Sequence, residues 1–204
     1  MPNAKYTMLT VASCAPEFLK DALVHTAKVA EELRADAGAV GTRVGVTATG
    51  SDAGSLFLLQ TYNDLGGIDA AFSVYERSTD YKALIGSGKV SINLRNIMKL
   101  EDVGLTQNSA DVPAYGVVTR MGTQGPMVEE ARALVPNFEN NGAMFLRYGT
   151  LVTGSAAGRR LLLVAYPSMD AIEKSYDALR ADPKYAAFIA KAEIDFRNII
   201  RITA

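Results

Sequence analysis

The chain is poor in the residues that most metal, redox and disulfide chemistry requires. Among 204 residues it has one cysteine (Cys14), one histidine (His25) and no tryptophan. A single cysteine cannot close an intrachain disulfide, which points to a reducing compartment rather than a secreted framework. One histidine and one cysteine cannot build a multi-His or Cys-rich zinc site. An excess of charge of one sign is also missing. The 21 Lys+Arg stand against 22 Asp+Glu, a formal net charge of −1, so no broad grip on nucleic acid or anionic lipid is expected. No stretch of 18 apolar residues is present to form a transmembrane helix. The residues after Met1 lack the apolar core of a signal peptide. The expectation is a soluble cytoplasmic protein with no nucleic-acid or membrane partner. Walker A, dinucleotide-binding and GxSxG patterns are absent, and Gly86-Ser87-Gly88 stands between a helix and a strand, the wrong context for a phosphate loop.

What the chain does have is an internal repeat. Residues 38–62 align with 142–166 at a shift of 104, with identity at twelve of 25 positions: Gly38, Ala39, Arg43, Gly45, Thr49, Gly50, Ser51, Ala53, Gly54, Leu58, Leu59 and Tyr62. Arg95-Asn96-Ile97 meets Arg197-Asn198-Ile199 after a two-residue gap. Two copies of a unit of about 100 residues are therefore expected, residues 1–101 and 114–204. The polar stretch 102–113, punctuated by Gly104, Asn108, Ser109 and Pro113, would be the linker.

Each copy reads β-α-β-β-α-β. In the first, strands are expected at 6–12, 40–49, 56–62 and 90–100, and helices at 16–37, 68–75 and 81–85. In the second, strands are expected at 115–121, 144–153, 160–166 and 194–202, and helices at 126–135 and 168–189. Pro16 at a first turn and Gly38 past the end bracket the long helix. Its counterpart is about six residues shorter, and Pro136 is expected to end it. A ligand site near these helices should therefore be asymmetric. The predicted class is α+β: two tandem ferredoxin-like units, each a four-stranded antiparallel sheet with its helices on one face. The other face cannot stay bare, because Leu56-Phe57-Leu58-Leu59 and Leu161-Leu162-Leu163-Val164 read as strands buried on both sides. Packing the two bare faces together encloses an interior and removes sheet edges.

The element order, the Asp182-Pro183-Lys184-Tyr185 segment before a helix and the closing Arg-Asn-Ile strands resemble the dimeric α/β-barrel superfamily. That group includes antibiotic-biosynthesis-type monooxygenases, stress-responsive barrel proteins and haem-degrading enzymes. The resemblance spans both copies, so the chain looks like a fused dimer. It implies a ligand cavity in each unit, between sheet and helices or inside the barrel. It implies either cofactor-free oxygenation or haem binding through His25, although the lack of tryptophan departs from the haem-degrading branch.

Several polar residues stand out from their apolar surroundings. His25, seven residues after Phe18, shares the helix's apolar stripe and is the candidate general base. Arg43 and Arg147 occupy matching places in the second strand of each copy, each two residues before a glycine. They would polarise a carbonyl, hold an anionic ligand or form a rim ion pair. Asn96 and Asn198 interrupt apolar rows and would stabilise an oxyanion or bond a neighbouring loop. Tyr62 and Tyr166 are candidate ligand contacts. Arg95 and Arg197 read as solvated or ion-paired. Cys14, ahead of a helix start, is a weak nucleophile candidate. Two functions stay open: a small-molecule enzyme of the cofactor-independent monooxygenase, isomerase or cyclase type, acting on an apolar or aromatic compound, or a non-catalytic ligand-binding or stress-response barrel. Fusion allows a monomeric pseudo-dimer, and an exposed edge allows a homo-oligomer.

Overall fold

A computed structural model describes residues 4–204; Met1 to Asn3 of the first repeat lie outside it. The first half contains β1 (Tyr6–Cys14), α1 (Leu19–Asp36, entered through a 3-10 turn at Pro16–Phe18), β2 (Gly41–Thr47), β3 (Leu56–Tyr62), α2 (Leu65–Arg77), α3 (Thr79–Gly86) and β4 (Val90–Leu100). The second contains β5 (Tyr115–Thr123), α4 (Val128–Glu139), β6 (Phe145–Leu151), β7 (Arg160–Tyr166), α5 (Met169–Ala181), α6 (Pro183–Ile189) and β8 (Ala192–Ile202).

The eight strands close into one antiparallel barrel in the order β1-β3-β2-β8-β5-β7-β6-β4. Each half supplies four neighbouring strands. Read around the ring, the halves run 4-1-3-2 and then 8-5-7-6 in the same sense. The pseudo-twofold axis therefore lies along the barrel, and matching residues of the two halves sit at the same end. Alternation along the strands divides the apolar residues between faces. Leu9, Val11, Phe57, Leu59, Val118, Leu161, Leu163 and Ile200 fill the barrel. Leu56, Leu58 and Tyr62 turn outward to α1 and α2, while Val117, Val164 and Tyr166 turn outward to α4 and α5. Every residue of β3 is buried, as a strand sandwiched on both faces requires.

The halves meet along two seams, each only three residue pairs long. At one, Gly45, Val46 and Thr47 of β2 face Ile202, Arg201 and Ile200 of β8. At the other, Gly149, Thr150 and Leu151 of β6 face Leu100, Lys99 and Met98 of β4. A Cβ on Gly45 would overlap the Arg201 carbonyl oxygen, and one on Gly149 would overlap that of Lys99. The repeated glycines are thus there for close backbone approach.

The hairpin turns clamp the same joins. Thr49 Oγ1 accepts the Ile199 amide at 2.9 Å, and Thr153 Oγ1 accepts the Ile97 amide at 2.8 Å. Gly50 (φ 84°) presses on Asn198 and Gly154 (φ 80°) on Asn96, so closely that a Cβ at either glycine would overlap the Asn Oδ1. Each turn grips the Asn-Ile pair of the other half. This accounts for the recurrence of Thr-Gly-Ser and Arg-Asn-Ile in both copies.

Three local expectations are corrected. Residues 168–189 form two helices, because the Asp182 carboxylate caps α6 by accepting from the Lys184 amide (2.8 Å), and Pro183 has no amide to continue α5. Pro136 lies inside α4, which runs on to Glu139; the helix is short because it begins late, after Met127 in a left-handed conformation (φ 48°). The linker is also more than a polar connector, since Val103 and Leu105 are buried in the core of the second half.

Candidate functional site

Ligand-sized space lies in the barrel and not between sheet and helices. The sheet–helix gaps hold about 40 Å³ in the first half and about 30 Å³ in the second, room for a few waters at most. Of the two places the resemblance allows, between sheet and helices or inside the barrel, side chains fill the first. One end of the barrel instead opens into a cavity of about 490 Å³, within the range of small-molecule sites. It runs from Phe57, Leu59, Leu163 and Ile200 inside the barrel out through the β2–β8 seam to α1, where Ala27, Ala30, Glu31 and Arg34 form its outer wall. Thr42 and Arg43 stand on its rim.

The other seam lies at the same end but is closed. The chain leaving β4 continues along β6, with the Glu101 amide donating to the Tyr148 carbonyl (2.9 Å). Val103 and Leu105 then pack among Leu134, Val135 and Phe138 of α4. The buried stripe of α4, Ala131, Leu134, Val135 and Phe138, repeats that of α1, Thr26, Val29, Ala30 and Leu33, so Glu31 and Arg34 correspond to Pro136 and Glu139. On α4 the matching face is covered by the linker, with Glu139 accepting from the Thr106 amide and Arg132 donating to the Asp102 carbonyl; on α1 it borders the cavity.

The sequence-nominated residues fall into four places. Arg43 lines the large cavity. Its Nη1 donates to the Thr42 carbonyl (2.7 Å), while Arg34 Nη1 donates to Thr42 Oγ1. Burial, and then the neighbouring Arg34 charge, lower the Arg43 pKa from its ordinary value. Arg147 points to the same barrel end but stacks 4.5 Å from the Phe145 ring, donates to the Leu146 carbonyl and lies against Gly104 of the linker.

Asn96 and Asn198 come together at the opposite barrel end, lining a cavity of about 180 Å³ with Asp52 and Arg120. Arg120 is ion-paired with Asp195 (2.8 Å). Phe57, Val118 and Ile200 border both cavities and form the partition between them.

Tyr62 and Tyr166 are fully buried on the helix-facing side, in different cores, and border neither barrel cavity. The Tyr62 hydroxyl donates to Gln60 Oε1 (2.7 Å), whose amide nitrogen donates to the Tyr75 hydroxyl. Burial raises the pKa of both Tyr62 and Tyr166, and that of Tyr75 to about 12. These phenols are packing residues held neutral.

His25 does not face the sheet. It bridges α1 to α3, with Nδ1 2.7 Å from Asp80 Oδ1 and Lys28 Nζ 3.6 Å from the same oxygen. It borders none of the four cavities, because its position on α1 turns it to the neighbouring helix. Haem does not fit these residues. The second half has no histidine, the gaps beneath the helices are far smaller than a porphyrin, and His25 borders none of the four cavities. Cys14 Sγ donates to the Ala15 carbonyl, and burial, then Glu17, raise its pKa, the opposite of an activated thiol. Arg95 is part-buried and, among the described residues, pairs with no carboxylate: it donates to Thr10 and the Tyr81 hydroxyl and lies 4.2 Å from the Tyr75 ring. Arg197 makes the matching bonds to Thr119 and Tyr185. Among the described residues no cluster of metal-ligating side chains occurs, and no helix is long and apolar enough to cross a membrane.

Sequence reasoning missed Arg34, Glu31 and Thr42. Glu31 and Arg34 lie on the exposed side of α1, where the local pattern reads as a solvated face.

The closed eight-stranded ring with helices outside is the fold of a dimeric α/β barrel, built here from two tandem ferredoxin-like units in one chain. Its sequence matches the family described as Domain of unknown function (DUF6854) over residues 4–100 and 113–202, and the chain belongs to that family. No curated protein matches it. Among solved structures it is similar to a candidate monooxygenase of Fusobacterium nucleatum subsp. nucleatum, at 13% identity and TM-score 0.69, covering 100% of this chain and 94% of that one. A candidate monooxygenase of Lactobacillus acidophilus shares 11% identity at TM-score 0.61, covering 98% and 93%. Chlorite dismutase from Candidatus Nitrospira defluvii, in complex with imidazole, shares 7% at TM-score 0.65, covering 100% and 93%. At these identities the likeness is one of fold.

Proposed function

We propose that the chain is a small-molecule-binding barrel whose working site is the cavity at the open β2–β8 seam. The observation that carries this reading is the cavity itself: about 490 Å³ of largely apolar space with a few convergent polar groups, in a barrel whose sheet–helix layers hold no comparable room. Its apolar walls suit a hydrophobic or aromatic compound.

Two forms of this function differ in what the rim does. In the enzymatic form, suggested by the monooxygenase neighbours, Arg43 polarises the carbonyl of an enolisable substrate in an oxygenase, isomerase or cyclase reaction without a cofactor. In the non-catalytic form the same residues only hold the ligand. The lining favours the second form. It contains no histidine or cysteine, and Glu31 is its one acidic side chain able to take a proton.

Gly41→Phe tests the site. Gly41 lines the cavity, a Cβ there meets nothing within 4 Å, and the second half carries Phe145 at the matching position. Apolar and aromatic compounds that raise the melting temperature of the natural protein should lose that effect in the variant. Equal stabilisation of both proteins would place the ligand elsewhere. Turnover of any such compound, followed by mass spectrometry, separates the enzymatic form from the carrier.

A further inference from the structure

Resting on that reading of the cavity, we propose that its ligand is an amphiphile with one negative charge, held by Arg34 and Arg43 at the open seam with its apolar body in the barrel. The rim has an unbalanced charge. Both guanidiniums are anchored on Thr42, one through its hydroxyl and one through its carbonyl. Among the described residues no carboxylate forms an ion pair with either. Glu31 shares the outer wall without pairing with them. Of the side chains lining the cavity two are positive and one is negative, and a single carboxylate or comparable oxyanion complements the pair of guanidiniums. The half-buried Arg43 guanidinium and the more exposed Arg34 repel each other across Thr42. An oxyanion bridging the two planar forks relieves it with charge-assisted hydrogen bonds. The matching arginine of the second half is dealt with differently, stacked on Phe145 and covered by the linker.

The same geometry sets the ligand's length. Behind the arginines the lining is apolar as far as Phe57, Val118 and Ile200, which separate this cavity from the 180 Å³ space beyond. A rigid apolar body ends at that partition. Phe57 is its largest member, so it is assigned as the residue that determines how long a tail is accepted.

The test measures binding of three probes with the same body to the full-length protein by calorimetry: dodecanoate, its methyl ester and dodecyltrimethylammonium. The expected order is anion first, the neutral ester about 10- to 100-fold weaker and the cation weaker still. Arg43→Ala and, separately, Arg34→Ala should each remove most of the preference for anion over ester, with circular dichroism confirming the fold. Arg180→Ala, in an exposed pair with Asp177, controls for net charge and should leave the preference intact. Phe57→Ala should shift the preferred chain length upward in an octanoate-to-hexadecanoate series. Equal binding of ester and anion, or an anion preference that survives both arginine variants, overturns the charge assignment while leaving the cavity reading in place. Binding of no probe in the series overturns both. A length preference unmoved by Phe57→Ala overturns the role of the partition.

Discussion

The two seams of the barrel start from the same sequence pattern and end differently. Both use a glycine for close strand approach, both carry an arginine two residues before it, and both lie at the same end of the barrel. The β4–β6 seam is packed solid: α4 presents Leu134, Val135 and Phe138, and Val103 and Leu105 of the linker bury themselves against them. The β2–β8 seam is hollow, with Ala30, Glu31 and Arg34 of α1 bordering its cavity. Duplication supplied a barrel with two equivalent corners. The course of the linker turned one corner into core and left the other as a chamber. Fusion makes this possible, since a symmetric homodimer must treat its corners alike.

The largest expected effect comes from reopening the filled corner. Val103→Ala combined with Leu105→Ala removes buried apolar volume that only the linker provides, and should cost about 4 kcal/mol in urea unfolding. A loss under about 1 kcal/mol would show that the linker merely lies over the seam, and the contrast between corners would shrink accordingly.

A smaller effect tests the end where the halves agree. Gly50→Ala and Gly154→Ala each place a Cβ against an asparagine and force a positive φ on a residue that disfavours it. Each should cost about 1–3 kcal/mol, and the two losses should be nearly equal. A large inequality would mean the asymmetry of the helices reaches the far end of the barrel.

The smallest effect concerns α1, the longer helix. The Asp80 carboxyl is held below its ordinary pKa first by the hydrogen bond to His25 and then by the Lys28 charge. A depressed folded-state pKa stabilises fully above the unfolded carboxylate value of about 3.9 and is lost as pH falls through the folded value. His25→Ala should therefore lower stability slightly near pH 6, and the gap to the natural protein should begin to close as pH falls below about 4. A gap that widens on acidification would contradict this account of the pair.

Much of the fold was legible because its signals are local. The twelve identities between the copies, the glycine-punctuated hairpins and the doubly apolar β3 and β7 fixed the element order and required the two sheets to cover each other. The site was less legible. His25 shares a stripe with Phe18, yet a helix in contact with both a sheet and another helix has more than one buried face, and the pattern does not say which neighbour a residue meets. Tyr62 and Tyr166 read as pocket residues because a phenol is amphipathic, but strand alternation turned both toward the helices. Asn96 and Asn198 looked like ligand groups. Their repeated companions, Thr49-Gly50 and Thr153-Gly154, are far away in sequence and meet them only after the halves join.

From sequence alone came the duplication, the β-α-β-β-α-β order, the need for mutual burial and the unequal helices, because periodicity and hydrophobicity act over short stretches of chain. Only the tertiary structure decided that the open space lies at one seam of the barrel and that Arg34 and Arg43 share a rim. It also decided that the linker seals the opposite seam. Those outcomes depend on which surfaces remain uncovered once both halves have packed, and no local stretch of residues specifies that.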